Sequence, residues 1–274
     1  MAKVLSTTTP MAKKIALSLS GSGHLLIYQL GVCKVLIEAK FPIAAISGSS
    51  GGAIAATVAT CIPHRLDDYA STFIKNKGLG FDSLATMLGE GLGNAPSSSP
   101  SIMLSICLTR CRDGAPILKS FDSPLTDKNL LSTIMASCAI PPTFHPLDLF
   151  GKFSLSYPDG HIIDGEAYVD GGIAAPAPPV DDMYEKVIVS PISGGYNRAS
   201  RISPRDTSFQ FPFYQLRARE DFRIRPSMQN LRALRASSGM TSSYELKMYY
   251  DWGMKDGKEY LDTRKEMDAD LIVT

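Results

Sequence analysis

The chain has no run of 18 or more apolar residues, so no segment is long enough for a membrane-spanning helix. An excess of one sign of charge is missing too. Lysine and arginine number 28 against 27 acidic residues, a formal net charge of +1, which removes the overall field that DNA or RNA would need. Nucleic acid is therefore not an expected partner. There is no paired cysteine framework: Cys33, Cys61, Cys107, Cys111 and Cys138 are odd in number and scattered through apolar stretches, a pattern of reduced core thiols and an intracellular compartment. Cys107 and Cys111 lack the second ligand pair of a metal site. Acids are absent from Met1 to Lys14, which contains Ser and Thr but no apolar core of a secretory signal. Residues 1–13 read as a flexible tail, with a piece of organelle-targeting sequence as the alternative. Nothing repeats at a solenoid period.

What is present is the composition of a globular protein. The 274 residues are 44% hydrophobic and 20% charged, and the simplest organisation is one domain over 14–274. Ile15 to Ser20 alternates and is β-prone, ends in Gly21-Ser22-Gly23, and leads into a helical run through Leu25, Leu30 and Leu36. The unit then recurs. Phe41 to Ser47 is a short apolar run, Gly48 to Gly52 a second glycine turn, and Ala53 to Cys61 an alanine-rich helix. Two strand-turn-helix units imply a parallel sheet with right-handed crossovers, whose crevice lies at the carboxyl ends of the strands. Both turns should face that crevice. Ile102 to Leu108 and Lys186 to Ser190 are further strand candidates, Asp127 to Ala139 is a helix ending before Pro141-Pro142, and Gly89 to Ser101 should be a mobile surface loop.

Gly48-Ser49-Ser50-Gly51-Gly52 satisfies G-x-S-x-G between a predicted strand and a predicted helix. A nucleophilic serine needs that spacing because it sits on a sharp turn, where glycines two residues either side remove Cβ atoms that would collide. Only Ser50, not Ser49, has glycine at both positions. Gly21-Ser22-Gly23-His24 offers backbone N–H groups for an oxyanion, since small residues let a substrate carbonyl come close. As a dinucleotide fingerprint the same segment fails, because the third glycine position is Leu26.

The base is the less obvious partner. A hydrolase triad in the order Ser, Asp/Glu, His needs a late histidine, yet the four histidines are His24, His64, His145 and His161, and the last 113 residues have none. His145 and His161 stay open as bases in another order. Tyr168-Val169-Asp170-Gly171-Gly172 supplies a different solution: a carboxylate at the end of a short run that could take the Ser50 proton directly. By itself D-G-G is also a common turn.

Taken together, these segments resemble the patatin-like phospholipases, and particularly their adiponutrin-type branch. The resemblance rests on Ser20 to Val32, on Gly48 to Gly52, on Asp170-Gly171-Gly172, and more weakly on Ala136 to Pro141 and Asp251-Trp252-Gly253. It spans about residues 13 to 262 and departs from the family at His24 and Leu26. It implies a three-layer α/β/α fold with a mostly parallel central sheet, a Ser50–Asp170 dyad, and an oxyanion hole from Gly21, Ser22, Gly23 and Gly51. It also implies no metal and no cofactor, and hydrolysis of fatty acyl esters of phospholipids, galactolipids or acylglycerols through an acyl-enzyme. A lipid transacylase with the same dyad and a catalytically weak lipid-binding scaffold are the competing readings.

Between Arg201 and Arg235 there are eight arginines against three acids, and from Tyr244 to Thr274 eight acids against five bases. Phe209, Phe211, Phe213 and Tyr214 beside Arg217, Arg219, Arg223 and Arg225 suit a peripheral place on an anionic membrane or lipid droplet. A buried edge strand with a solvated basic loop would look the same.

Overall fold

The computed structural model describes residues 14–96, 101–142, 160–194, 199–206, 216–217 and 222–273. Strand β1 (Ile15–Leu19) leads through a short 3-10 turn at Gly23–Leu25 into α1 (Leu26–Glu38). Strand β2 (Ile43–Ser49) leads into α2 (Gly51–Cys61). There follow α3 (Leu66–Lys75), α4 (Phe81–Gly93), β3 (Met103–Arg110), β4 (Pro116–Phe121) and α5 (Leu130–Ser137). Then come β5 (His161–Ile163), β6 (Glu166–Asp170), the short α6 (Gly171–Ala174), β7 (Glu185–Val189), β8 (Arg201–Ile202) and the pair β9 (Leu216–Arg217) and β10 (Arg223–Ile224). Helices α7 (Met228–Ser237) and α8 (Ser243–Val273) close the chain.

The central sheet has the order β5-β6-β3-β2-β1-β7-β8, with β4 also paired to β3. Its middle is parallel, from β3 through β2, β1 and β7 to β8, while β4, β5 and β6 run antiparallel to their neighbours. This is a mixed α/β fold with a central, mostly parallel sheet flanked by helices. The alternation in Ile15 to Ser20 does not mark an inside and an outside: all of β1 is buried, Ser18 included, and so is Ser20 just after it. A parallel strand covered on both faces has no wet side, and the Ser18 hydroxyl is satisfied by donating to the Pro178 carbonyl at 2.7 Å.

Two segments differ from the sequence reading. Residues 89–93 belong to α4 rather than to a loop, because Leu84, Leu88 and Gly91 lie buried on one side of a continuing helix. Helix α5 begins at Leu130, and Asp127 instead caps the preceding turn by accepting the Asn129 N–H at 2.8 Å. The uneven charge is also partly neutralised within the fold, since Arg205 pairs with Glu259 at 2.9 Å and Arg235 with Glu245. His145 and the aromatic run from Phe209 to Tyr214 lie outside the described residues.

Helix α1 is buried nearly all round, from Leu26 to Cys33. It packs along α8 at a glycine crossing: a Cβ on Gly31 would lie 2.5 Å from the Tyr250 carbonyl oxygen, and one on Gly253 would overlap that of Tyr28. The hydroxyl of Tyr28 meets Asp256 of α8 at 2.7 Å in the same interface.

Candidate active site

Ser50 follows the last residue of β2 and takes φ 53° and ψ −128°, a conformation that costs a non-glycine residue about 1–3 kcal/mol. The surroundings hold it there. A Cβ at Gly48 would overlap the Gly52 carbonyl oxygen, and one at Gly52 that of Leu19, so the turn closes onto itself and onto the end of β1. The Ser50 N–H donates to the Ser137 hydroxyl at 2.9 Å, and Ser137 donates on to the Cys107 carbonyl at 2.7 Å, fixing the turn to β3 through the end of α5. Ser49 is occupied elsewhere, its hydroxyl bonding to the Ala175 carbonyl at 2.9 Å.

Asp170 arrives from the opposite direction. In the β2–β3 pairing Ser49 stands beside Cys107, which sets Ser50 level with Leu108, and in the β3–β6 pairing Leu108 stands beside Asp170. The two residues therefore share one row of the sheet, two strand spacings or roughly 10 Å apart at the backbone. Their side chains converge across it. A Cβ on Gly172 would lie 3.1 Å from Asp170 Oδ1 and 3.9 Å from the Ser50 Cβ, and Gly21 closes the third side, where a Cβ would lie 3.5 Å from the Gly172 Cα. Gly171 must lack a side chain because a Cβ would overlap the Cys107 carbonyl.

Both groups are buried, Ser50 at 8% and Asp170 at 3% exposure. Asp170 Oδ1 accepts the Gly172 N–H at 2.7 Å, while Oδ2 is buried without a hydrogen-bond partner among the described residues. Burial pushes the carboxyl up to about 6; the nearby Ser50 side chain and the Gly172 N–H pull it partly back. A carboxylate in that range can be ionised near neutral pH and still accept a proton. Its backbone is fixed as firmly: Thr109 Oγ1 donates to the Asp170 carbonyl at 2.7 Å, and the Asp170 N–H donates to the Ala139 carbonyl at 3.0 Å.

The first glycine turn lies directly against the elbow. A Cβ on Gly51 would meet the Gly23 carbonyl oxygen at 2.5 Å and the Ser22 hydroxyl at 2.9 Å. Gln29, buried on α1, holds this turn: its amide donates to the Ser20 carbonyl at 2.7 Å and accepts the Ser22 hydroxyl at 3.0 Å. Of the four expected oxyanion donors, Gly21 is already committed, its N–H donating to the Pro176 carbonyl at 2.8 Å. The N–H groups of Ser22, Gly23 and Gly51 make no hydrogen bond among the described residues.

No described imidazole bonds to Ser50 or Asp170. His64 and His161 are exposed. His24 is engaged by packing, edge-on to Phe73 with ring centroids 5.6 Å apart and closed in by Gly78 and Gly239, where a Cβ would come within 2.8 and 2.9 Å of the ring. Burial lowers its pKa, against a backbone hydrogen bond at Leu79 that raises it. Leu26 is buried as the first residue of α1, so its departure from the family pattern falls on packing. Ser137, Thr109 and Gln29 support the site without having been singled out; their signal would have been polar residues inside otherwise apolar segments.

A sequence model of the family described as patatin-like phospholipase matches residues 17–101 and 79–183, more than half of the chain, with the Ser20–Gly23 turn, Ser50 and Asp170 all inside it. The chain belongs to the patatin-like phospholipase family. Among solved structures, this patatin-like chain is similar to VipD from Legionella pneumophila, with 14% identity and a TM-score of 0.40, the alignment covering 90% of this chain and 67% of that one. It is also similar to the type III effector protein ExoU, with 15% identity and a TM-score of 0.33, over 94% of this chain and 64% of that one. The chain thus spans about two thirds of the length of either. No curated protein matches it.

Proposed function

We propose that this patatin-like chain is a serine acyl hydrolase that cleaves fatty acyl esters of phospholipids, galactolipids or acylglycerols with a Ser50–Asp170 dyad. Family membership supports lipid-ester hydrolysis as the class of activity. The dyad is supported above all by one observation, the shared row of the sheet that sets the strained Ser50 level with a buried Asp170 whose Oδ2 has no hydrogen-bond partner among the described residues. In the reaction Asp170 takes the hydroxyl proton as Ser50 Oγ attacks the ester carbonyl. The N–H groups of Ser22, Gly23 and Gly51 hold the oxyanion, with the amino end of α2 adding its dipole. Collapse returns the proton from Asp170 to the departing alcohol, and water activated by the same carboxylate then releases the fatty acid.

Residues 14–274 form one catalytic unit in this proposal, of the adiponutrin-type branch, acting inside the cell at the surface of a membrane or lipid droplet. Replacing Ser50 by Ala is expected to abolish both hydrolysis of a p-nitrophenyl acyl ester and labelling by a fluorophosphonate probe, with the circular dichroism spectrum unchanged. Turnover retained in that variant would refute the assignment.

A further inference from the structure

Helix α7 stands at the rim of the candidate site. Its amino end is tied to the loop after β7: Asn230 accepts the Ser193 N–H at 2.8 Å and donates to the Ser193 and Arg225 carbonyls at 2.7 Å each, and Ser227 caps the first turn. Its carboxyl end touches the expected oxyanion turn, where a Cβ on Gly23 would overlap the Ser237 carbonyl, and the following Gly239 lies against the His24 ring. The helix is thus fastened to the same carboxyl edge of the sheet that presents Ser50.

The outward side of α7 is what such an anchoring leaves unexplained. Met228, Leu231 and Leu234 are 46%, 60% and 45% exposed, and Tyr244, at the start of α8, is 78% exposed. These are large apolar surfaces in water, not isolated surface residues. Between α7 and α8 runs a groove of about 760 Å³ lined by Met228, Leu231, Tyr244, Met248 and Trp252, with Arg232 beside it. No acid occurs in α7, and the nearest one on α8, Glu245, is already paired with Arg235. Arg232 is exposed and has no carboxylate partner among the described residues. Apolar side chains with an unmatched cation among them, on a helix lying in a surface, are the complement of acyl chains beneath phosphate headgroups.

We infer that the outer face of α7, with the start of α8, is the surface by which the protein sits on a phospholipid layer, Leu231, Leu234 and Tyr244 entering the acyl region and Arg232 meeting a phosphate. This deepens the proposed hydrolase and rests on it for its purpose, but binding can be measured without turnover. Seated in this way, the protein would present the Ser22–Gly23 turn and the elbow to the lipid, because α7 ends against that turn.

The test uses the full chain and vesicles of phosphatidylcholine alone or with phosphatidylserine, read by sedimentation, beside turnover of soluble p-nitrophenyl butyrate. The Leu231→Asp/Leu234→Asp variant is expected to lose vesicle binding about tenfold or more and to hydrolyse vesicle lipid correspondingly less, while butyrate turnover is unchanged. Arg232→Glu should weaken binding less and mainly to the charged vesicles. Vesicle binding unaltered in the double variant, or absent in the unaltered protein, would overturn the inference; so would a loss of self-association on sedimentation velocity in place of a loss of lipid binding, which would give the face to a second copy. Normal vesicle binding and butyrate inactivity together would instead uphold the surface and strike at the proposed hydrolase.

Discussion

Asp170 is placed where its charge is useful to chemistry and costly to the fold. Burial raises its carboxyl from 3.8 to about 6, so the base form that the proposed reaction requires accumulates only above about pH 6. The acid limb of kcat/KM should therefore rise through that value and level off. For stability the sign is reversed: between 3.8 and about 6 the folded protein keeps a proton that the unfolded chain has released, so stability falls as pH rises through that window and stays lower above it. Asp170→Asn keeps an acceptor for the Gly172 N–H and carries no charge. It is expected to abolish hydrolysis and, at about pH 8, to unfold in urea with on the order of 2–3 kcal/mol more stability than the unaltered protein, a gain that disappears at about pH 4. An Asn variant no more stable at the higher pH would mean that the carboxylate is solvated, and the base assignment would lose its electrostatic footing.

At the level of elements, α1 and α8 meet through glycine, and α1 in turn carries Gln29, which holds the Ser20–Ser22 turn. Packing and site geometry are therefore coupled. Gly253→Ala would force its Cβ into the Tyr28 carbonyl, a backbone atom that cannot turn aside, and should cost about 1–3 kcal/mol in thermal unfolding. Because the displaced helix is the one that positions the expected oxyanion donors, kcat/KM should fall as well. Unchanged stability and unchanged kcat/KM would show that the two helices do not cross so closely. The crossing was not legible in the sequence, where Gly31 and Gly253 are single glycines more than 200 positions apart with no local reason to be paired. The elbow, by contrast, was legible as a motif: Gly48 answers a clash within five residues of chain, although Gly51 and Gly52 answer distant neighbours, the Ser22–Gly23 turn and the end of β1.

Across the whole molecule, one sheet joins residues from Ile15 to Ile202, and α8 from the end of the chain packs against α1 near its beginning. If residues 14–274 fold as the one unit proposed, denaturant unfolding should be a single transition, the fluorescence of Trp252, the chain's one tryptophan, coinciding with far-ultraviolet circular dichroism. Separate midpoints would divide the unit in two.

The order of the strand-turn-helix units, the family and the identity of the candidate serine and aspartate followed from the chain alone, because each depends on spacing over a few residues, on turn chemistry, or on a combination of motifs. Tertiary structure decided the rest. That Asp170 arrives on an antiparallel strand level with Ser50, that Ser137 accepts the Ser50 N–H, and that the Gly21 N–H is spent on Pro176 are consequences of strand register and of contacts between segments distant in sequence. No local preference encodes these, since register is set by how whole strands bury their side chains against one another.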